Sequence, residues 1–179
     1  MMKSPSSWLI AASIAVLAFP ISLHAVAAEE KTAQCQISCV SPFPTDAEGD
    51  RVIAVVKNIT KALADRKFDD MLTYMDEQCT TYDGNTKRTV VGRDAIVADV
   101  KLKIAAEEAK SNAPIVSYEI DRPFAQVNGD TAVVCFVLVK DVGGAHPTKY
   151  AEHCTDVFVK RGQDWKKLNF RSDTWKRCK

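Results

Sequence analysis

Apolar residues recur along this chain with two different periods, and the change falls near Pro114. From Asp50 onward Val52, Val55, Val56, Ile59 and Leu63, with Phe68 one turn further, follow one another at helical spacing and predict an amphipathic helix. Thr45 or Asp46 stands ahead of it with a side-chain oxygen for the free backbone amides. Lys67, Asp69 and Asp70 break the pattern, after which Met71, Leu72 and Met75 predict a short second helix. The stretch CTTYDGNTKRTVVG alternates around Asp83-Gly84 and Asn85, residues that tolerate a left-handed backbone, so it predicts a small hairpin. Gly92 then precedes RDAIVADVKLKIAAEEAK, whose Ile96, Val97, Val100, Ile104 and Ala105 predict a third amphipathic helix.

Beyond Pro114 the period is two. IVSYEIDRPFAQV, TAVVCFVLVK, KYAEHCTDVFVKR and DWKKLNFRSDTW read as four successive strands. Asn128-Gly129, Gly143-Gly144 and Gly162 supply their turns, the first with the residue pair that favours a type I′ hairpin. Helices followed by an antiparallel meander define an α+β fold in which the helices cover one face of a curved sheet.

Composition adds a compartment. Lys3, the apolar run Trp8 to Leu23, and the small residues Val26 and Ala28 before an acidic pair have the three-part layout of a secretory signal peptide, with cleavage expected after Ala28. An uncleaved anchor is the alternative, since spanning a bilayer takes roughly 20 apolar residues; Pro20 and His24 interrupt the run. The expected organisation is a signal peptide over residues 1–28, a Cys-containing tail over 29–46, and one domain over 47–179. Export points to the periplasm or the secreted fraction. Cleavage would remove Lys3 and no acid, so the 24 basic and 23 acidic residues become 23 and 23. A neutral chain has no general attraction for nucleic acid or anionic lipid. The cluster Lys166, Lys167, Arg171, Lys176, Arg177 and Lys179 accordingly reads as a solvated strand edge and tail.

Six cysteines, an even number, suggest disulfides in an exported chain. No CxxC pair occurs and only His146 and His153 accompany the cysteines in the mature part, so no metal site is expected. No phosphate-binding loop, dinucleotide fingerprint or nucleophile elbow is present, and no cofactor is expected.

The order helix, short helix, hairpin, Gly-Arg-Asp-Ala-Ile helix start and long strands ending in TDVFVKR…DWKKLNF.S resembles the nuclear transport factor 2-like superfamily, in particular its SnoaL-like and ketosteroid-isomerase-like branches, over about Asp50 to Trp175. The resemblance implies a cone-shaped half barrel, three N-terminal helices packed on a strongly curved antiparallel sheet. It also implies an apolar cavity between them and a homodimer using the other face of the sheet. Members include isomerases, dehydratases, cyclases and domains without chemistry, so the fold leaves function open.

Centring the turns on Asn128-Gly129, Gly144-Ala145 and Gly162-Gln163 places Asp121, Phe136, His153 and Ser172 in one row, on the face of Val134, Leu138, Thr155, Val157, Val159, Leu168 and Phe170. Asp121 and His153 are thus the expected proton carriers, roughly 10 Å apart across an apolar cavity. Pro123, two residues beyond Asp121, favours a bulge that would turn Asp121 away and bury Tyr118 and Ile120 instead. Tyr74 and Tyr82 from the helical side, with Phe136, Thr155 and Phe170, complete the expected ligand wall. The same register sets Cys135 opposite Cys154 as one disulfide, leaving Cys79 with Cys178 and Cys35 with Cys39. An apolar patch of Val133, Val137, Val139 and Phe158 would face a partner. Two functions follow from these features: a domain binding a small apolar molecule in its cone or a protein partner through its sheet, or a cofactor-free isomerase, dehydratase or cyclase.

Overall fold

The computed structural model describes residues 45–84, 86–173 and 175–178; the signal segment and the pair Cys35 and Cys39 lie outside the described residues. Helix α1 spans Ala47–Ala64 and is capped by Asp46, whose carboxylate accepts the Gly49 amide at 2.7 Å. Val52, Ile53, Val56, Ile59 and Ala62 bury its inner stripe. Gly49 is needed where α1 crosses the sheet: a Cβ there would stand 2.5 Å from Thr45 Cγ2 and 3.3 Å from Ala125 Cβ. Arg66, at φ 59°, turns the chain into the short α2, Phe68–Thr73. Met75, expected on that helix, instead opens strand β1, Met75–Asp83, which pairs with β2, Arg88–Val91. Helix α3 covers Arg93–Ser111 and stops at Asn112, which takes the left-handed conformation that asparagine tolerates.

Four long strands follow: β3 Ile115–Asn128, β4 Thr131–Val142, β5 Thr148–Arg161 and β6 Asp164–Ser172, with a short β7 at Lys176–Arg177. The sheet order is β2-β1-β6-β5-β4-β3, and β7 pairs with β5. This is an α+β fold with an open, mostly antiparallel sheet. α3 lies between β2 and β3 in the chain, in the expected order; the layout departs from expectation in that the hairpin β1–β2 is part of the sheet. β1 runs parallel to β6, with Thr80 opposite Asn169 and Thr81 opposite Phe170. Side chains secure that junction: Asn169 Nδ2 donates to Thr80 Oγ1 at 2.7 Å, and Thr81 Oγ1 donates to the Phe170 carbonyl at 3.0 Å.

Register corrects the expected faces. Val142 pairs with Thr148, so the β4–β5 connection centres on a residue, Ala145, rather than on the bond before it. That half-step shifts the pairing by one and sends all of β5 to the opposite face. Cys154, Asp156 and Phe158 point toward the helices, while His153, Thr155, Val157 and Val159 face away. A further bulge between Val157 and Phe158 makes Trp165, Lys167 and Phe170 inner residues. The core is accordingly built from Ala125, Val134, Phe136, Cys154, Phe158 and Trp165 against α1, Met71, Cys79, Ile96 and Val97.

Candidate functional site

Asp121 and His153 do lie in one cross-strand row, each opposite Val137, but on the outer face. The bulge anticipated at Pro123 is present, with Arg122 at φ 49° and the pairing shifted between Asp121 and Phe124. Asp121 is 46% exposed and accepts a bond from Arg122 Nε at 2.8 Å. Neither residue can therefore flank a cavity between helices and sheet. The rest of the expected ligand wall is also dispersed. Phe136 and Phe170 are inner, Thr155 is outer opposite Cys135, and Tyr82 is exposed on the β1–β2 hairpin. Tyr74 lines a separate half-open groove of about 330 Å³ with Arg51, Val55, Trp165 and Lys166.

The expected disulfides change for the same reason. With Cys135 opposite Thr155 and Cys154 opposite Phe136, the two cysteines sit on opposite faces and both are free thiols. Cys79 is a buried free thiol, so it is not paired with Cys178. Burial raises the Cys79 thiol to about 11 and pushes Cys154 well above the usual thiol range, which leaves both unreactive.

The inner face holds a polar cluster that the periodicity alone did not single out. Tyr118 of β3, Lys140 of β4, Tyr150 of β5 and Arg177 of β7 stand in successive register across four strands. Lys140 is 1% exposed. Its ammonium bonds to Glu107 of α3 and lies 4.0 Å from the centre of the Trp175 ring and 5.6 Å from that of Tyr150. Such a charge is tolerated because a carboxylate and two aromatic faces replace its water. One row further along, Glu152 of β5 is 8% exposed. Burial lifts its pKa to about 7, against the hydrogen bond from Ser172 and the charge of Lys140; Glu107 pushes it the same way as burial. Tyr118 is raised to about 12 by burial, opposed by its hydrogen bond with Arg66. Arg66 in turn bridges to Glu108 at 2.6 Å, and Glu108 also accepts the Ile115 amide at 3.0 Å. The cluster thus combines a carboxyl that changes charge near neutrality with the Lys140 side chain and a phenol that keeps its proton. Those are the parts of a proton-transfer site with hydrogen-bond donors for a developing oxyanion.

Lys140 was visible in principle. It continues the inner series Val134, Phe136, Leu138 by two residues, so a lysine appears where an apolar residue belongs. Glu152 was not, because the shifted register exchanged it with His153.

A second buried pair, Asp156 with Lys167, lies between Phe158 and Phe170, with Lys167 Nζ 5.1 Å from the Phe170 ring centre. Lys167, expected on a solvated edge, is buried. Burial raises the Asp156 pKa and Lys167 lowers it. Among the described residues, no three His, Cys, Asp or Glu side chains are grouped to hold a metal ion, and no helix is long and apolar enough to cross a membrane.

A mostly antiparallel sheet with helices on one face, and a buried acid–base cluster at the end of the space between them, defines the class: small α+β domains whose chemistry, where they have any, sits between helices and sheet. Residues 52–169 match the SnoaL-like domain family, and the chain belongs to it, within the nuclear transport factor 2-like superfamily. No curated protein matches the sequence. Among solved structures, the CaMKII hub of S. rosetta is 20% identical, with a TM-score of 0.55 over 73% of this chain and 98% of that one. An NTF2-like protein with a cystatin-like fold from Novosphingobium aromaticivorans is 12% identical, with a TM-score of 0.58 over 69% and 79%. A proposed dehydratase of the NTF2-like family from Streptomyces avermitilis is 14% identical, with a TM-score of 0.55 over 69% and 93%. At these identities the likeness is one of fold.

Proposed function

We propose that this is an exported SnoaL-like domain that works as an assembly module, pairing with a second copy through the outer face of its sheet. The observation that carries the reading is the row of apolar side chains turned from the helices. Phe124, Val133, Cys135, Val139 and Val157 stand on adjacent strands around the buried Val137, and Val133 is 37% exposed. Phe158, expected in this patch, belongs to the core and contributes nothing to it. The hub neighbours, and an association domain from Xanthomonas campestris at 16% identity, lend support, since those proteins are described by their assembly. Sedimentation equilibrium of the mature protein tests the proposal: a dimer or larger species is expected, and Val133→Asp combined with Val157→Asp converts it to monomer. A monomer at every concentration overturns it.

Glu152 supports a second reading, a cofactor-free isomerase, dehydratase or cyclase in which Glu152 carries the proton while Lys140 and Tyr118 face the substrate oxygen. It replaces Asp121 and His153, which the register puts outside. Such a site exchanges protons next to a carbonyl. Deuterium incorporation from D₂O into a panel of small carbonyl compounds, followed by NMR, is expected for the wild type and lost in Glu152→Gln. Equal incorporation by both proteins rules the role out.

A further inference from the structure

Neither function proposed above uses the half-open groove beside Tyr74. Three elements form it: α1 contributes Arg51 and Val55, the end of α2 contributes Tyr74, and the start of β6 contributes Trp165 and Lys166. Its volume of about 330 Å³ stands at the small end of the range for ligand pockets, roughly 300–1,000 Å³, and suits a molecule built on a single ring. Main chain ties its sides together, since the Lys167 amide bonds to the Tyr74 carbonyl at 2.8 Å. Each of its two cations reaches from its own element to a main-chain oxygen of another. Lys166 Nζ donates to the Thr73 carbonyl at 2.7 Å, and Arg51 Nη2 donates to the Gln163 carbonyl at 3.1 Å. Both charges are therefore held in place before any ligand arrives.

The charges around the groove do not cancel. Glu48 Oε2 accepts from Arg51 Nη1 at 2.8 Å, while Oε1 accepts from Lys160 Nζ at 2.8 Å and from Trp165 Nε1 at 2.9 Å. These bonds, that of Lys160 foremost, hold the Glu48 carboxyl down to about 2, so its charge is present at neutral pH and already answered by three donors. Asp164 is exposed and stands 3.7 Å from Lys166. Arg51, Lys160 and Lys166 against Glu48 and Asp164 leave one positive charge over. We propose that the groove binds a small monocarboxylate with an apolar or aromatic body, the carboxylate held by Arg51 and Lys166 and the body laid against Val55 and the Tyr74 ring. Arg51 uses two of its five N–H donors in the bonds above, and Lys166 one of its three for Thr73, so both have donors to give. The guanidinium fork matches the two oxygens of a carboxylate. A dianion such as phosphate is disfavoured, because one surplus charge leaves it half compensated.

Phenylacetate, one ring with one carboxylate, is the probe. The Trp165 indole N–H is the reporter, since the carboxylate it bonds also holds Arg51. In nitrogen-15 NMR titrations at low salt, phenylacetate is expected to move the Trp165 indole resonance saturably, with half-saturation at about 1 mM or below. Phenylacetamide keeps the shape without the charge, and acetate keeps the charge without the ring; each is expected to bind roughly tenfold more weakly or worse. Arg51→Gln and Lys166→Gln are each expected to weaken phenylacetate by roughly tenfold. Lys57→Gln removes an exposed cation from the same helix outside the groove and is expected to leave binding as it is. If Arg51→Gln disturbs the spectrum beyond the groove, Lys166→Gln decides. A resonance that only drifts in proportion to concentration overturns the proposal. So does equal binding of phenylacetamide, or an equal loss in Lys57→Gln, which would reduce the effect to general attraction for anions.

Discussion

Glu152 sits where a carboxylate is costly, and that cost has a sign. Its pKa is about 7 in the folded protein and 4.5 as an ordinary glutamate. Below about pH 4.5 both states carry the proton and the residue does not affect stability. Between 4.5 and 7 the unfolded chain releases the proton while the folded chain keeps it, so stability falls as pH rises through that window and levels off above it. At 1.36 kcal/mol per unit the fall amounts to about 3 kcal/mol. Glu152→Gln keeps the neutral shape at every pH. Urea unfolding at pH 5 and pH 8 is therefore expected to show a stability difference between the two pH values that is more destabilising toward pH 8 in the wild type than in the variant, by about 2–3 kcal/mol. Identical differences in the two proteins would mean that the carboxyl is solvated after all. The residue scale is also where the sequence was least legible. Glu152 and His153 are neighbours pointing to opposite faces, and a single-residue register error assigns the chemistry to the wrong one.

Elements were read more securely, for physical reasons that differ between them. α1 announced itself by an apolar stripe, of which Val52, Val56 and Ile59 are buried, and by the Asp46 cap, α3 by Gly92 and its stripe, and each hairpin by a glycine that takes positive φ, namely Gly129, Gly144 and Gly162. What periodicity does not encode is how many residues a loop spends outside the ladder, and the β4–β5 connection spends enough to reverse a strand. Nor does it show that β1 pairs with β6, since that parallel contact joins segments nearly ninety residues apart and depends on Asn169 and Thr81. The Asp156–Lys167 pair ties β5 to β6 beside their bulge, and it gives these elements a test. Lys167→Met leaves Asp156 buried without its counter-charge and is expected to cost about 3–5 kcal/mol in denaturant unfolding. Adding Asp156→Leu removes the orphaned charge, so the double variant is expected to recover most of that loss. A double variant as unstable as the single one would show that the pair holds the strands by geometry rather than by mutual neutralisation.

At the scale of the molecule, the sheet is a partition with a different kind of residue on each side. The cluster around Lys140 and Glu152 looks toward the helices, and the apolar row around Val133 and Val157 looks away. The proposed assembly and the proposed proton-transfer site should then be separable in one protein. If two copies pair through the outer face and that pairing binds only the folded state, the melting temperature rises with protein concentration. Val133→Asp with Val157→Asp is expected to abolish that concentration dependence while leaving the Glu152 midpoint near 7, because neither substitution touches the inner face. Glu152→Gln is expected to do the reverse, removing the pH-dependent loss of stability and leaving the concentration dependence intact. Differential scanning fluorimetry over a hundredfold range of concentration at pH 5 and pH 8 reads both effects on the same samples. If the outer-face variant instead shifts the Glu152 midpoint, the two faces are coupled through the sheet, and assembly and chemistry belong to one site completed by the second copy.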